Sequence, residues 1–270
     1  MNHVISLTAT GAEALESPVY PPHVPAEAIE ASNCNNPLLP LIRKLESKIS
    51  LSDEERAAIN NLPVKLRQLL PGHDIGREGE KTSQCCFILE GWACRYKRVG
   101  EGKRQILSLH IAGDLPDLHS LHIPQMDYNL ATITAATVAF IPHRALHDLT
   151  LRFPRVAAAL WRDTLTDAAI FRQWMTNMGR RDAFDHTAHL FCEVYLRQEA
   201  VGLASDLRCP WPLTQRDLAD ATGLSNVHVN RVVQEMRSSG MITIKRSTLV
   251  IHAWVELAQA VEFDATYLHL

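Results

Sequence analysis

Residues 212–236, PLTQRDLADATGLSNVHVNRVVQEM, decide the fold of the C-terminal part of the chain. They predict two short amphipathic helices, because apolar residues recur at helical spacing on both sides of Gly223. Thr214 and Ser225 are suited to cap the two helices, and Gly223 accepts the left-handed conformation that ends the first. We expect the buried positions to be Leu218 and Ala219 in the first helix, and Val229, Val232, Val233 and Met236 in the second.

The second predicted helix leaves a polar set pointing outward, made of Asn226, His228, Asn230 and Arg231. Gly240 follows it, and then two short alternating segments, Ile242 to Ile244 and Leu249 to Ile251, flank a basic turn. This order is typical of a winged helix-turn-helix, whose second helix lies in the major groove of DNA. An ordinary helical hairpin packed into a core is the alternative.

Composition and charge narrow the class of protein. The chain has 270 residues, 46% of them hydrophobic, and a net charge of −3. Between residues 225 and 246 the balance is reversed, with four basic residues and one acid, which suits phosphate binding. No apolar run approaches the ~20 residues of a membrane helix, and the start does not resemble a signal peptide. We therefore expect a cytoplasmic protein that does not contact membranes.

The six cysteines form no CxxC pair, and their spacing suits neither a zinc site nor a disulfide framework. We expect reduced, mostly buried thiols at Cys85, Cys86, Cys94, Cys192 and Cys209, and no metal site. A redox-sensing thiol is the alternative, with Cys34 the most accessible candidate.

Composition and apolar periodicity divide the chain into four parts. Residues 1–36 are rich in proline without apolar periodicity and predict a flexible tail. Residues 37–150 begin with helical segments and continue as short strands between glycines, which indicates a β-roll. Residues 151–180 predict one long helix, and residues 181–270 a further helix, the winged helix-turn-helix and a C-terminal tail. The fold class is therefore α+β.

The long helix carries an apolar seam near the coiled-coil period. We interpret this seam as a homodimer interface, because one helix between two domains has no obvious place to bury it; a core helix of one domain is the alternative. A dimer also fits paired reading helices on a palindromic site. The seam positions are Val156, Leu160, Leu165, Ala168, Phe171 and Met175.

The order β-roll (jelly roll), long helix and winged helix-turn-helix resembles the Crp/Fnr family of bacterial transcription regulators, from about residue 37 to residue 252. The motifs that carry the resemblance are IGREGE at residues 75–80, FILEG at 87–91, ILSL at 106–109, AGD at 112–114 and the stretch quoted first. The resemblance implies a cyclic-nucleotide-binding-like roll that senses a small molecule or redox state and repositions two reading helices through the long helix.

Departures from the family pattern bear on the effector. Cyclic-nucleotide-binding members carry Gly-Glu and Arg-Ser/Thr-Ala motifs, where this chain has Asp117-Leu118 and Asn129-Leu130-Ala131. The arginine that pairs with the phosphate is missing and Asp117 would repel it, so we expect that cAMP is not the effector. Cys34 alone cannot hold the iron–sulfur cluster of the oxygen-sensing branch.

Haem-binding relatives suggest a second effector chemistry. His119 and His122 are placed near the pocket by the resemblance and are candidate haem ligands; surface or hydrogen-bonded histidines are the alternative. The candidate effector residues are therefore Asp117, His119, His122, Asn129 and Leu130, and the cofactor is left open.

The resemblance also assigns roles on DNA. Arg231 occupies the place of the family's base-reading arginine and suits the two acceptors of guanine. Val227 stands where many members carry a glutamate, so the usual operator need not apply, and a thymine methyl is a candidate contact. The base-reading candidates are Asn226, Val227, His228, Asn230 and Arg231, and the phosphate-contacting candidates are Thr214, Gln215, Ser225, Lys245 and Arg246.

The sequence favours a dimeric DNA-binding regulator over two other classes. No nucleophile elbow, P-loop, dinucleotide fingerprint or metal triad is present, so we do not expect an enzyme. A haem, small-ligand or redox sensor in which DNA binding is secondary is the alternative. An activator would also contact RNA polymerase; the target genes and the direction of regulation are left open.

Overall fold

The computed structural model describes residues 36–270. The expectations for the N-terminal tail and for Cys34 fall outside this part of the chain. Two helices open it, α1 (Leu39–Glu46) and α2 (Asp53–Asn60). Ser52 and Glu55 form a capping box at the start of α2, in which each side chain binds the backbone N–H of the other.

Seven strands follow and form the predicted roll. A three-stranded sheet has the order β1-β7-β3, and a four-stranded sheet has the order β2-β6-β4-β5, all antiparallel. Strands β4 and β5 are joined by a tight glycine-containing hairpin turn, where Glu101 and Gly102 have positive φ. The strands are β1 (Lys65–Leu69), β2 (Asp74–Gly76), β3 (Gln84–Glu90), β4 (Ala93–Val99), β5 (Lys103–His110), β6 (Asn129–Thr132) and β7 (Ala136–Pro142).

The predicted long helix is present, and a break in the helical backbone at Phe153 separates it from the helix before it. Helix α3 (His143–Arg152) ends at Phe153, and α4 (Pro154–Arg180) begins with proline in its first turn, where the missing N–H costs nothing. The expected boundary between residues 150 and 151 therefore falls inside α3, because the apolar pattern runs through both helices and only Phe153 lies between them.

The C-terminal part contains the predicted winged helix-turn-helix. Helix α5 (Ala183–Ala200) leads into strand β8 (Arg208–Pro210), and α6 (Gln215–Thr222) and α7 (Asn226–Ser238) form the helix-turn-helix. Strands β9 (Ile242–Lys245) and β10 (Thr248–Ile251) form the wing, in a sheet of order β8-β10-β9. Helix α8 (Trp254–Ala260) and a 3-10 turn (Ala265–Leu268) complete the chain.

Three apolar cores hold these parts together. One fills the roll, and a second lies between α1 to α3, one face of β3 and the first half of α4. Cys86 belongs to the first and Cys85 to the second, as expected for neighbours on a strand. The third core is shared between β4, β5, the second half of α4 and the C-terminal domain. The roll and the helix-turn-helix domain are therefore packed on each other. Within residues 36–270, no helix is long and apolar enough to cross a membrane.

Candidate nucleic-acid interface and roll site

The helix-turn-helix geometry follows from its caps. Thr214 accepts a hydrogen bond from the Asp217 N–H, and the Asp217 carboxylate in turn binds the Thr214 N–H at 3.0 Å. Gly223 has φ of +70°, the left-handed conformation that lets the chain leave α6. The Ser225 hydroxyl accepts the His228 N–H at 3.2 Å and starts α7. The six positions predicted to be buried in these two helices are buried.

The outward face of α7 is open, as the periodicity predicted. Asn226, Val227, Asn230 and Arg231 are exposed, and His228 is half-buried. One nitrogen of the Arg231 guanidinium lies 3.0 Å from His228 Nε2, and this contact holds the guanidinium over the first turn of the helix. Val227 is 82% exposed at the start of α7. The structure thus brings all five base-reading candidates to one end of one helix.

The phosphate-contacting candidates surround that helix. Gln215 and Thr214 are at the start of α6, and Ser225 is at the start of α7. Lys245 and Arg246 are exposed at the tip of the wing, where positive φ values at Arg246 and Ser247 make the tight turn. The Thr214 hydroxyl also donates to Asp217 at 2.6 Å, so it is engaged within the chain.

The inward face of the helix-turn-helix rests on the roll. The Arg104 side chain of β5 binds Asp217 at 2.5 Å and Asp220 at 2.7 Å, both on α6. The Gln105 amide lies beside the Ala221 carbonyl at 3.5 Å, next to the Gly223 turn. We call these contacts the docking contact. Sequence reasoning missed it, because Arg104 and α6 are more than 100 residues apart and no local pattern pairs them.

A second polar cluster, also missed, joins the roll, α5 and the C-terminal turn. Asp114 binds Lys44 at 3.1 Å and Arg197 at 3.0 Å, and Arg197 reaches Glu193 at 3.3 Å. The fully buried Glu193 also accepts from Trp174 and from the Tyr267 hydroxyl at 2.9 Å. Burial alone would raise the pKa of Asp114, but the Lys44 charge, a His110 hydrogen bond and the Arg197 charge hold it well below its usual range.

The candidate effector residues occupy separate surroundings. Asp117 is buried and accepts the Cys86 N–H at 2.7 Å; burial raises its pKa to about 7. Leu130 is fully buried in the roll core, and Asn129 accepts the Glu78 N–H at 3.2 Å. The His119 ring contacts Tyr128, whereas the exposed His122 contacts His147 of α3, so the two histidines face different partners.

An arginine lies between the roll and the long helix beside this region. The Arg95 guanidinium of β4 donates to Asp167 of α4 at 2.5 Å and to the Pro116 carbonyl. It also stacks over the Tyr128 ring, with its carbon 5.0 Å from the centroid. The roll and α4 are thus joined by a largely buried ion pair between Arg95 and Asp167. The sequence alone identifies only candidate effector-binding residues in this region.

The apolar seam of α4 requires one correction. Val156 and Leu160 are buried against α1 to α3 in the chain's own second core, so they are not available to a partner. The sequence could not separate them from the rest of the seam, because their burial depends on where α1 and α2 pack. Further along, Ala168 is half-buried, and an exposed apolar stripe comprises Trp161, Leu165, Phe171, Met175 and Met178.

These features define a helix-turn-helix DNA-binding protein with a cyclic-nucleotide-binding-like roll. Two family models match separate parts of the chain: the cyclic nucleotide-binding domain over residues 66–153, and the Crp-like helix-turn-helix domain over residues 186–260. The chain belongs to the Crp/Fnr family of transcription regulators. It is accordingly a transcription regulator and not an enzyme, as the sequence predicted.

Known relatives agree with this assignment. The chain is similar to the nitrogen fixation regulation protein FixK of Rhizobium meliloti (strain 1021), with 25% identity over 177 residues, 65% of this chain and 76% of the relative. It is 22% identical over 235 residues to the fumarate and nitrate reduction regulatory protein of Escherichia coli (strain K12), covering 86% of this chain and 90% of that one.

A solved structure shares the fold. The structure of FixK2 from Bradyrhizobium japonicum superposes with a TM-score of 0.64 at 20% identity, over 73% of this chain and 97% of that chain.

Proposed function

We propose that this regulator binds an inverted-repeat DNA site as a homodimer, under the control of a signal received at the roll. The observation that carries the proposal is the exposed stripe of five large apolar side chains on α4. The same chain also has a solvent-exposed outward face on α7, the helix expected to read DNA. An apolar stripe of this length is unfavourable in water and is typical of a helix-helix interface. A two-fold axis along it would present two copies of α7 to two half-sites.

The contacts between the domains support a route for the signal. Arg95 links the roll to α4, and the docking contact links the roll to α6. A ligand or modification that favours a state without these pairs would shift the reading helix relative to the dimer axis. We place this activity in the cytoplasm, where the DNA is, and expect contact with RNA polymerase at promoters that the protein activates.

The experiment that tests the dimer uses one charge on the stripe and one off it. Met175→Asp is expected to convert the dimer to a monomer in analytical ultracentrifugation and to abolish tight binding to an inverted repeat. Leu151→Asp is the matched control, because Leu151 is 81% exposed on α3, away from the stripe. A wild-type monomer, or a Met175→Asp variant that remains dimeric with full affinity, would contradict the proposal.

A further inference from the structure

Val227 is the most exposed large apolar side chain of residues 36–270, at 82%. It lies at the second position of α7, beside the Ser225 cap. Valine is a weak helix former, and here it packs against no core, so neither propensity nor burial accounts for it. Its position at the N-terminal end of the reading helix is the one that meets base edges in helix-turn-helix proteins.

Val227 and Arg231 are four residues apart and therefore share one face of α7. Their backbone positions are separated by about 6 Å along the helix axis. The Arg231 guanidinium is drawn back toward the first turn by its 3.0 Å contact with His228 Nε2, which brings it closer to Val227. Since stacked bases are about 3.4 Å apart, the two side chains reach base pairs that are neighbours or next neighbours.

The chemistry of the major groove then selects the base. Valine offers neither donor nor acceptor, so a cytosine or adenine amino group against it would lose its water without gaining a partner. The apolar group on the major-groove edge of a base pair is the C5-methyl group of thymine. We propose that Val227 reads the methyl group of a thymine one or two base pairs from the guanine that Arg231 contacts. This inference rests on the proposed sequence-specific DNA binding.

The test begins with selection of bound duplexes from a random pool by the full-length protein at fixed salt. Each thymine of the selected half-site is then replaced singly by deoxyuridine, which removes only the methyl group. At one thymine we expect affinity to fall roughly fourfold, the value for burying one methyl-sized group. Val227→Ala removes two methyl groups and should lose most of this response to deoxyuridine, so that the two losses are not additive.

A control variant separates the effect of Val227 from a general change in DNA binding. Val255→Ala changes an exposed valine on α8 and should retain the full response to deoxyuridine. A selected site in which no deoxyuridine weakens binding, or a loss that persists unchanged in Val227→Ala, would overturn the inference while leaving the proposed function standing. Selection that enriches no sequence at all would contradict the proposed function itself.

Discussion

The inward and outward faces of the helix-turn-helix differ in whether their polar side chains are paired within the chain or exposed to solvent. On the inward face, the carboxylates of Asp217 and Asp220 are ion-paired with Arg104. Behind them, α5 packs on α6 and α7, and its residue Glu193 is fully buried among three donors. On the outward face, the amides of Asn226 and Asn230 and the side chain of Val227 lie in solvent. The inward groups hold the domain against the roll, whereas the outward groups are exposed to solvent and are the ones we propose to contact DNA. Substitutions on the two faces should therefore have separable effects.

The largest expected effect is that of Arg197→Ala on the inward side. It leaves Glu193 buried without its cation and removes one of the two cations on Asp114. We expect a loss of about 3–5 kcal/mol in the free energy of unfolding, measured by urea denaturation. Arg208→Ala, an exposed arginine of the same domain, is the control and should change stability little. Equal stabilities of the two variants would show that the buried cluster does not hold the domain.

The buried carboxyl group of Asp117 should make the free energy of unfolding fall as the pH rises. Burial raises its pKa from 3.8 to about 7, so the native state keeps a proton that the unfolded chain releases. The stability this group contributes is complete below about pH 3.8 and is lost as the pH rises through 7. Asp117→Asn keeps the acceptor for the Cys86 N–H. We expect it to stabilise the protein by at most about 4 kcal/mol at pH 8, with no gain near pH 4.

Urea denaturation of both proteins between pH 4 and pH 8 measures this difference. Parallel stability curves for wild type and Asp117→Asn would mean that the carboxyl group is not protonated in the native state at neutral pH.

On the outward face, Arg231→Ala should leave stability unchanged and weaken specific DNA binding by about 1–3 kcal/mol at a single base position. The reason is the loss of two donors to one guanine. Competition binding with each base of the half-site varied measures the effect. Arg237→Ala, in the last turn of the same helix, is the control. Undiminished specificity in Arg231→Ala would show that another residue reads that base.

The smallest effect is expected for Arg104→Ala, which breaks the docking contact. Because Arg104 and its two carboxylate partners are partly exposed, we expect a loss of about 1 kcal/mol in global stability. Faster amide hydrogen exchange in α6 should accompany it, since this helix rests on β5. Lys103→Ala, beside it on the same strand and highly exposed, should leave exchange unchanged. Unaltered exchange in Arg104→Ala would show that apolar packing alone holds the two domains together.

The same contrast explains how far the sequence could be interpreted. Both caps, the Gly223 turn and the open face of α7 are encoded within 25 residues, so spacing alone located them. Two ion pairs form only when distant segments of the chain meet, so no periodicity in the sequence predicts them: Arg104 with Asp217, and Arg95 with Asp167. His119 and His122 differ by three residues yet face different partners, because the 3-10 turn that contains His119 ends at Leu121, before His122.

The shared third core has a consequence for cooperativity. Trp92 and Ile106 of the roll, Trp174 of α4 and Trp211 of the C-terminal domain belong to one continuous apolar cluster. Melting of either half would expose the apolar surface of the other, so the described chain should unfold in a single transition. A C-terminal fragment that begins at α5 would expose to water the apolar surface that the roll and α4 cover in the whole chain. Its stability would therefore differ from that of the whole regulator.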